Sequence, residues 1–250
     1  ALRVIQTGEL SETSSVEISS GAELKVNDNG SLNNSVLIRV DVNGDYYANS
    51  TDTIGSVSGE GRIRLFNANN TLSIGSSNQD SLFDGAISGD GNLTKIGTGI
   101  LTLSGDNTLK GDTIVAGGKL AAGADQTFSA VSATSVKSDG IIDLNSTTQT
   151  IDNLSVDQGG EVTGSESSSL LIANKIFNHG ELDFALLHGT DANDIFFSTG
   201  EIEIEERPTE VTNSKGQCAP KDYPEGCHGS IDLKAGNDLI ITGKDIDIPD

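Results

Sequence analysis

The stretch Gly91–Leu120 reads "GNLTKIGTGILTLSGDNTLKGDTIVAGGKL", and no apolar run within it exceeds three residues. Its aliphatics come singly or in pairs, alternate with Thr, Lys or Ser, and stop at a glycine. Such alternation over a few positions is the signature of a strand with one buried face. Glycine at the ends marks corners where the backbone needs conformations that other residues avoid. Strands this short cannot form a core alone, so the stretch asks what its neighbours contribute.

Outward from Gly91 the pattern recurs. A glycine followed by alternating aliphatics appears as "GILTL" at Gly99, "GKLAA" at Gly118, "GIIDL" at Gly140, "GEVTG" at Gly160, "GELDF" at Gly180 and "GEIEI" at Gly200, at intervals of 19, 22, 20, 20 and 20. "GSIDL" follows at Gly229, after 29 residues, and removing the excursion between Cys218 and Cys227 restores a period near 20. Upstream the phase is looser, with "GAELKV" at Gly21, "GSL" at Gly30 and "GRIRL" at Gly61. Stacking repeats of this size puts aliphatic above aliphatic in continuous inward columns, and each strand pairs in parallel with its equivalent one turn on. The expected fold is all-β: a right-handed parallel β-helix, or solenoid, of roughly ten coils. It forms a single segment over 1–250, with irregular longer coils in 1–90 and regular coils in 91–250 that carry a loop insertion at 218–227. A β-sandwich would need longer antiparallel strands and more aromatics, and no segment has helical periodicity.

Composition agrees with this reading. Of 250 residues 34% are hydrophobic and 4% aromatic, Trp and Met are absent, and Gly contributes 30, which is far from the usage of an ordinary α/β enzyme. The net charge of −22 argues against partners that present phosphate, so neither nucleic acid nor an anionic membrane is expected. No apolar run approaches the length of a spanning helix, and the chain reads as a mature or excised segment. The two cysteines, Cys218 and Cys227, bound "CAPKDYPEGC", a turn-rich excursion short enough to be closed by a disulfide, which implies an oxidising compartment.

The segment Ser88–Gly123 resembles the passenger-associated repeat of bacterial autotransporters, in which "G-x-G-x-L-x-K-x-G-x-G-x-L-x-L-x-G-x-N-x-Y-x-G-x-T-x-V-x-x-G-x-L" recurs. Gly89, Gly91, Leu93, Lys95, Gly97, Gly99, Leu101, Leu103, Gly105, Asn107, Gly111, Thr113, Val115, Gly118 and Leu120 fall in step, and Leu109 stands where the family has an aromatic. The resemblance implies a type V secreted passenger, exported through the periplasm and released or displayed at the outer surface. It also implies a C-terminal β-barrel translocator as partner, of which this sequence shows no strands.

Candidate chemistry is sparse. There is no "G-D-S-G" nucleophile, "GSVSG" has Val57 at the elbow position, and His179, His188 and His228 have no recognisable partners. A polysaccharide lyase or glycosidase, the alternative reading, would need paired carboxylates beside sugar-stacking aromatics, of which only Tyr46, Tyr47 and Tyr223 are suitable. "DVNGDYYANSTD" spaces Asp41, Asn43, Asp45 and Asp52 like the oxygen ligands of a calcium loop, but Tyr46 replaces the glycine of its turn. The 20-residue register stacks Ile141, Glu161, Glu181, Glu201 in one outward column and Asp143, Thr163, Asp183, Glu203, Asp232 in another. Such columns suit solubility, or a basic patch on a host-cell surface protein. The cysteine-bounded loop, with Lys221, Tyr223 and Glu225, is a second candidate contact. The expected function is that of a non-catalytic virulence factor, an adhesin or receptor-activating ligand.

Overall fold

A computed structural model describes residues 15–27 and 30–164, together with the strands Leu2–Ile5, Glu9–Leu10, Leu170–Asn178, Ile195–Ser198, Ile202–Ile204 and Lys234–Ala235. Among these residues every regular element is a β-strand, and the strands pair in parallel. The chain runs from Ser56–Gly59 to Arg62–Leu65 to Thr71–Ile74, then returns to Ser81–Phe83 one coil further on. Three faces result. The first contains Arg62–Leu65, the second Thr71–Ile74 and the third Ser81–Phe83, in sheets of six, ten and eight strands. Among the described residues the eight strands of the third face, from Ser15–Ile18 to Glu161–Thr163, are joined by seven register steps, so the solenoid they form has about seven turns, slightly fewer than the ten expected. Some steps are longer than the 20-residue period: Val16 lies beside Ile38, and Ile63 beside Ile87.

The columns follow from alternation. On the first face Leu24, Tyr46, Ile63 and Ile87 stack inward in register, and on the third Leu101, Leu120, Ile142 and Val162 do the same. All eight are buried. Each such side chain contributes roughly 1.5–3 kcal/mol by leaving water, against the entropy of ordering the chain. Volumes compensate along a column: Val40, Gly59, Phe83, Leu103 and Ala122 are successive neighbours, and the large Phe83 sits against the smallest residue.

Corners are held by side chains that reach one coil ahead. Asn78 Oδ1 accepts the Thr98 amide at 2.9 Å, Asp80 Oδ1 the Ile100 amide at 2.8 Å, and Asn92 Oδ1 the Asp112 amide at 2.9 Å, each 20 residues on. This accounts for the Asn and Asp between strands, since an amide at a corner has no ladder partner and needs another acceptor.

The first face stops at Thr108–Leu109. Beyond it, residues 123–133 cover the interior with Phe128, and buried amides replace the missing ladder. Asn107 accepts the Ile87 amide at 2.7 Å and donates to the Thr127 carbonyl at 2.6 Å, so it ties together three coils. Gln149 accepts the Phe128 amide at 2.9 Å and donates to the Ala124 carbonyl at 2.7 Å.

Candidate recognition surface

The outward side of the first face carries a cluster of charged and aromatic side chains. Register places Glu23, Asp45 and Arg62 in one row and Lys25, Tyr47 and Arg64 in the next. Because Leu24, Tyr46 and Ile63 point inward, these neighbours point out. Asp45 is the hub: Arg62 donates to it through Nε and Nη2, both at 2.8 Å, and Arg64 through Nε at 3.0 Å. Burial opposes ionisation of Asp45, yet the two guanidiniums outweigh it and hold its pKa below the usual carboxylate value. The Lys25 ammonium, 2.8 Å from Glu23, lowers the pKa of Glu23 as well.

Tyr47 links the charges to apolar surface. Lys25 Nζ lies 4.6 Å from its ring centroid, the Arg64 guanidinium 5.9 Å, and the Phe66 ring packs at 5.9 Å with a tilt of 31°. Phe66 remains 55% exposed. The cluster thus combines three cations with two carboxylates on a chain whose overall charge is −22. Forked guanidinium donors beside an open aromatic ring suit a partner with anionic groups and a flat apolar surface. Sequence reasoning missed this surface. "GRIRLF", Gly61–Phe66, held the signal, since alternation aligns Arg62 with Arg64, but Arg62 meets Asp45 across a step of only 17 residues, which a 20-residue register does not reveal.

The acidic columns are described in part. Glu161 lies outward on Glu161–Thr163 beside Ile141, with Val162 buried between, as the register predicts. Asp143 is in step with Thr163 and forms an ion pair with Lys119 at 2.9 Å, so a cation from the preceding coil interrupts the acidic array. Glu203 belongs to Ile202–Ile204, which pairs with Leu170–Asn178 on the second face in register with Phe177, so it does not share the third-face column of Asp143 and Thr163 in which the 20-residue register placed it. Glu181, Asp183, Glu201, Asp232, Lys221, Tyr223, Glu225 and the expected Cys218–Cys227 disulfide lie outside the described residues.

The oxygens spaced like calcium ligands are directed to different places. Asp41 accepts Arg39 Nε at 2.8 Å, Asn43 turns a corner with φ of 61°, and Asp45 holds the two arginines. Asp52 faces the interior, where its carboxylate accepts the Leu32 amide. Among the described residues no three His, Cys, Asp or Glu side chains converge as metal ligands would.

A cavity of about 20 Å³, bordered by Leu103, Asn107, Phe128 and Thr134, has space for a water molecule. No helix of the described residues is long and apolar enough to cross a membrane.

Residues 93–122 match the passenger-associated-transport-repeat family. The match begins within the second-face strand Asn92–Lys95 and ends with the third-face strand Gly118–Ala122, so it covers the middle of the solenoid. No curated protein and no solved structure is significantly similar to the chain.

Proposed function

We propose that this chain is part of an exported autotransporter passenger and works as a non-catalytic binding scaffold for a host-cell surface molecule. The repeat at 93–122 supports export, with a β-barrel translocator as partner and a secreted or surface-displayed destination. One observation carries the binding reading: Arg62, Arg64 and Lys25 surround Tyr47 and the exposed Phe66 on the outer side of the first face. A solenoid whose interior is filled by aliphatic columns has its sides available for recognition, and rigid side surfaces lower the entropic cost of binding. The partner that fits here carries anionic groups.

In the same reading the acidic residues Glu161 on the third face and Glu203 on the second, together with Glu181, Asp183, Glu201 and Asp232 and with Lys221, Tyr223 and Glu225 of the cysteine-bounded loop, form a second contact for a basic partner patch.

Cell-surface binding by labelled protein tests both. With Phe66→Ala, and separately with Arg62→Gln combined with Arg64→Gln, binding should fall at least tenfold while the unfolding midpoint of Phe66→Ala stays near that of the parent. Full binding by both variants would overturn the first-face reading. Unchanged binding after Glu161→Gln and Glu203→Gln would remove the acidic residues from it.

A further inference from the structure

Lys95 occupies a column with β-branched aliphatics on both sides: Ile54, Ile74, then Lys95, Val115, Val136 and Val156. It is 2% exposed. Alternation requires this, since Leu93, two residues before, also points inward. A cation in an aliphatic column is unfavourable unless its donors are satisfied, and its Nζ donates to three carbonyls at the corner: Ile96 at 2.7 Å, Gly117 at 3.1 Å and Gly97 at 3.2 Å. An ammonium has three protons and no acceptor, so three carbonyls match it in number and polarity. Gly117 lies one coil beyond Gly97, and the ammonium therefore bridges successive coils within the matched repeat.

We propose that these three corner carbonyls form a monovalent-cation site, which the chain fills with its own Lys95 ammonium and which takes a free ammonium or potassium ion when that side chain is shortened. Three considerations support it. The oxygens converge on one point from two coils and carry only partial charge, which is the kind of coordination that replaces the hydration shell of a large monovalent ion. Burial disfavours the charged form and Asp80 offsets this only in part, but all three bonding partners are carbonyl oxygens, which accept from a cation and carry no proton to donate. The flanking aliphatics Ile74 and Val115 are buried and offer nothing else to bond the oxygens.

Lys95→Ala tests this by cation rescue of thermal unfolding. Ammonium or potassium chloride should raise the variant's unfolding midpoint by about 2–4 °C over the same concentration of tetramethylammonium chloride, which is too large to enter, while the wild type responds equally to all three salts. Equal responses in the variant, as expected if water alone fills the space, would overturn the proposal. If Lys95→Ala does not fold in any salt, the wild type decides. Nitrogen-15 NMR at neutral pH should show the Lys95 side chain as an ammonium whose protons exchange slowly, and a neutral or rapidly exchanging amine would refute the assignment.

Discussion

Asp52 and Leu32 are joined across 20 residues of chain by a hydrogen bond inside the solenoid: the Leu32 amide lies 3.0 Å from Asp52 Oδ2 and 3.2 Å from Oδ1. The carboxylate also accepts the Thr53 amide at 2.9 Å. It is 4% exposed and has Leu72 as its inward neighbour on the next coil. Burial raises its pKa to about 6, and the two amides only moderate that rise.

The sign of the resulting pH dependence follows from linkage. The folded state holds the Asp52 proton up to about pH 6, whereas the unfolded chain releases it near 3.8, so the folded state binds more protons between those values. The stability contributed by the protonated form is full below pH 3.8 and is lost as pH rises through 6, a change of about 2–3 kcal/mol. Urea unfolding of the wild type and of Asp52→Asn across this window should differ by that slope. Parallel curves would show that Asp52 titrates alike in both states.

Tyr46 offers a complementary test. Its ring is fully buried, and its hydroxyl makes no hydrogen bond. Burial, and then the Asp52 charge, push its pKa well above the normal value, so the phenol stays neutral. Because an unpaired buried hydroxyl is a cost, Tyr46→Phe should leave stability unchanged or raise it by about 1 kcal/mol. Thermal unfolding at pH 7 measures this, and a loss above that magnitude would reveal a bond that the hydroxyl makes.

These interior polar groups mark where the sequence was hard to read. The columns at Leu101, Leu120, Ile142 and Val162 were legible because each follows a glycine in the 20-residue phase and each is apolar. Asp52 looked like a metal ligand because its type and spacing suit one, while its inward direction depends on a register shared with Leu72 and Leu93. Lys95 carried a clearer signal, two places after an inward leucine, yet its partners are backbone carbonyls that no side-chain pattern encodes. The first-face surface was hidden for another reason: the pairing of Asp45 with Arg62 rests on a short coil, and its aromatic lining on contacts between strands.

Lys95 should give the opposite pH profile to Asp52. Burial lowers its pKa to about 8 from 10.5, so between those values the unfolded chain binds more protons and stability rises with pH. The contribution is present above pH 10.5 and is lost as pH falls through 8, by about 2–3 kcal/mol. Lys95→Met removes the titration, so the wild type should gain on this variant as pH rises from 7 to 10.5. A constant difference between the two would place the Lys95 pKa at its ordinary value.

Asn107 ties three coils together where the first face ends. Replacing it with Leu leaves the buried Ile87 amide without its acceptor and the Thr127 carbonyl without its donor, an expected loss of about 2–5 kcal/mol. Asn107→Asp keeps the acceptor and loses the donor, so its loss at neutral pH should include repulsion between the carboxylate and the Thr127 carbonyl. Denaturant midpoints near that of the wild type in both would show that neither bond contributes to stability.

Gly59 and Gly21 separate two reasons for a corner glycine. Both have positive φ, 106° and 75°, so an alanine at either is strained by about 1–2 kcal/mol. At Gly59 a Cβ would also stand 2.1 Å from the Val40 carbonyl oxygen of the neighbouring coil, whereas at Gly21 it would meet nothing within 4 Å. Gly21→Ala should therefore lose only the strain, and Gly59→Ala should lose clearly more, because relieving its clash means separating coils whose ladder pairs Val40 with Gly59 and Gly59 with Phe83. Thermal unfolding of the two variants side by side gives the comparison. Equal midpoints would mean that corner conformation alone selects glycine, and that the coils are less closely stacked at this position than the register of Val40, Gly59 and Phe83 requires.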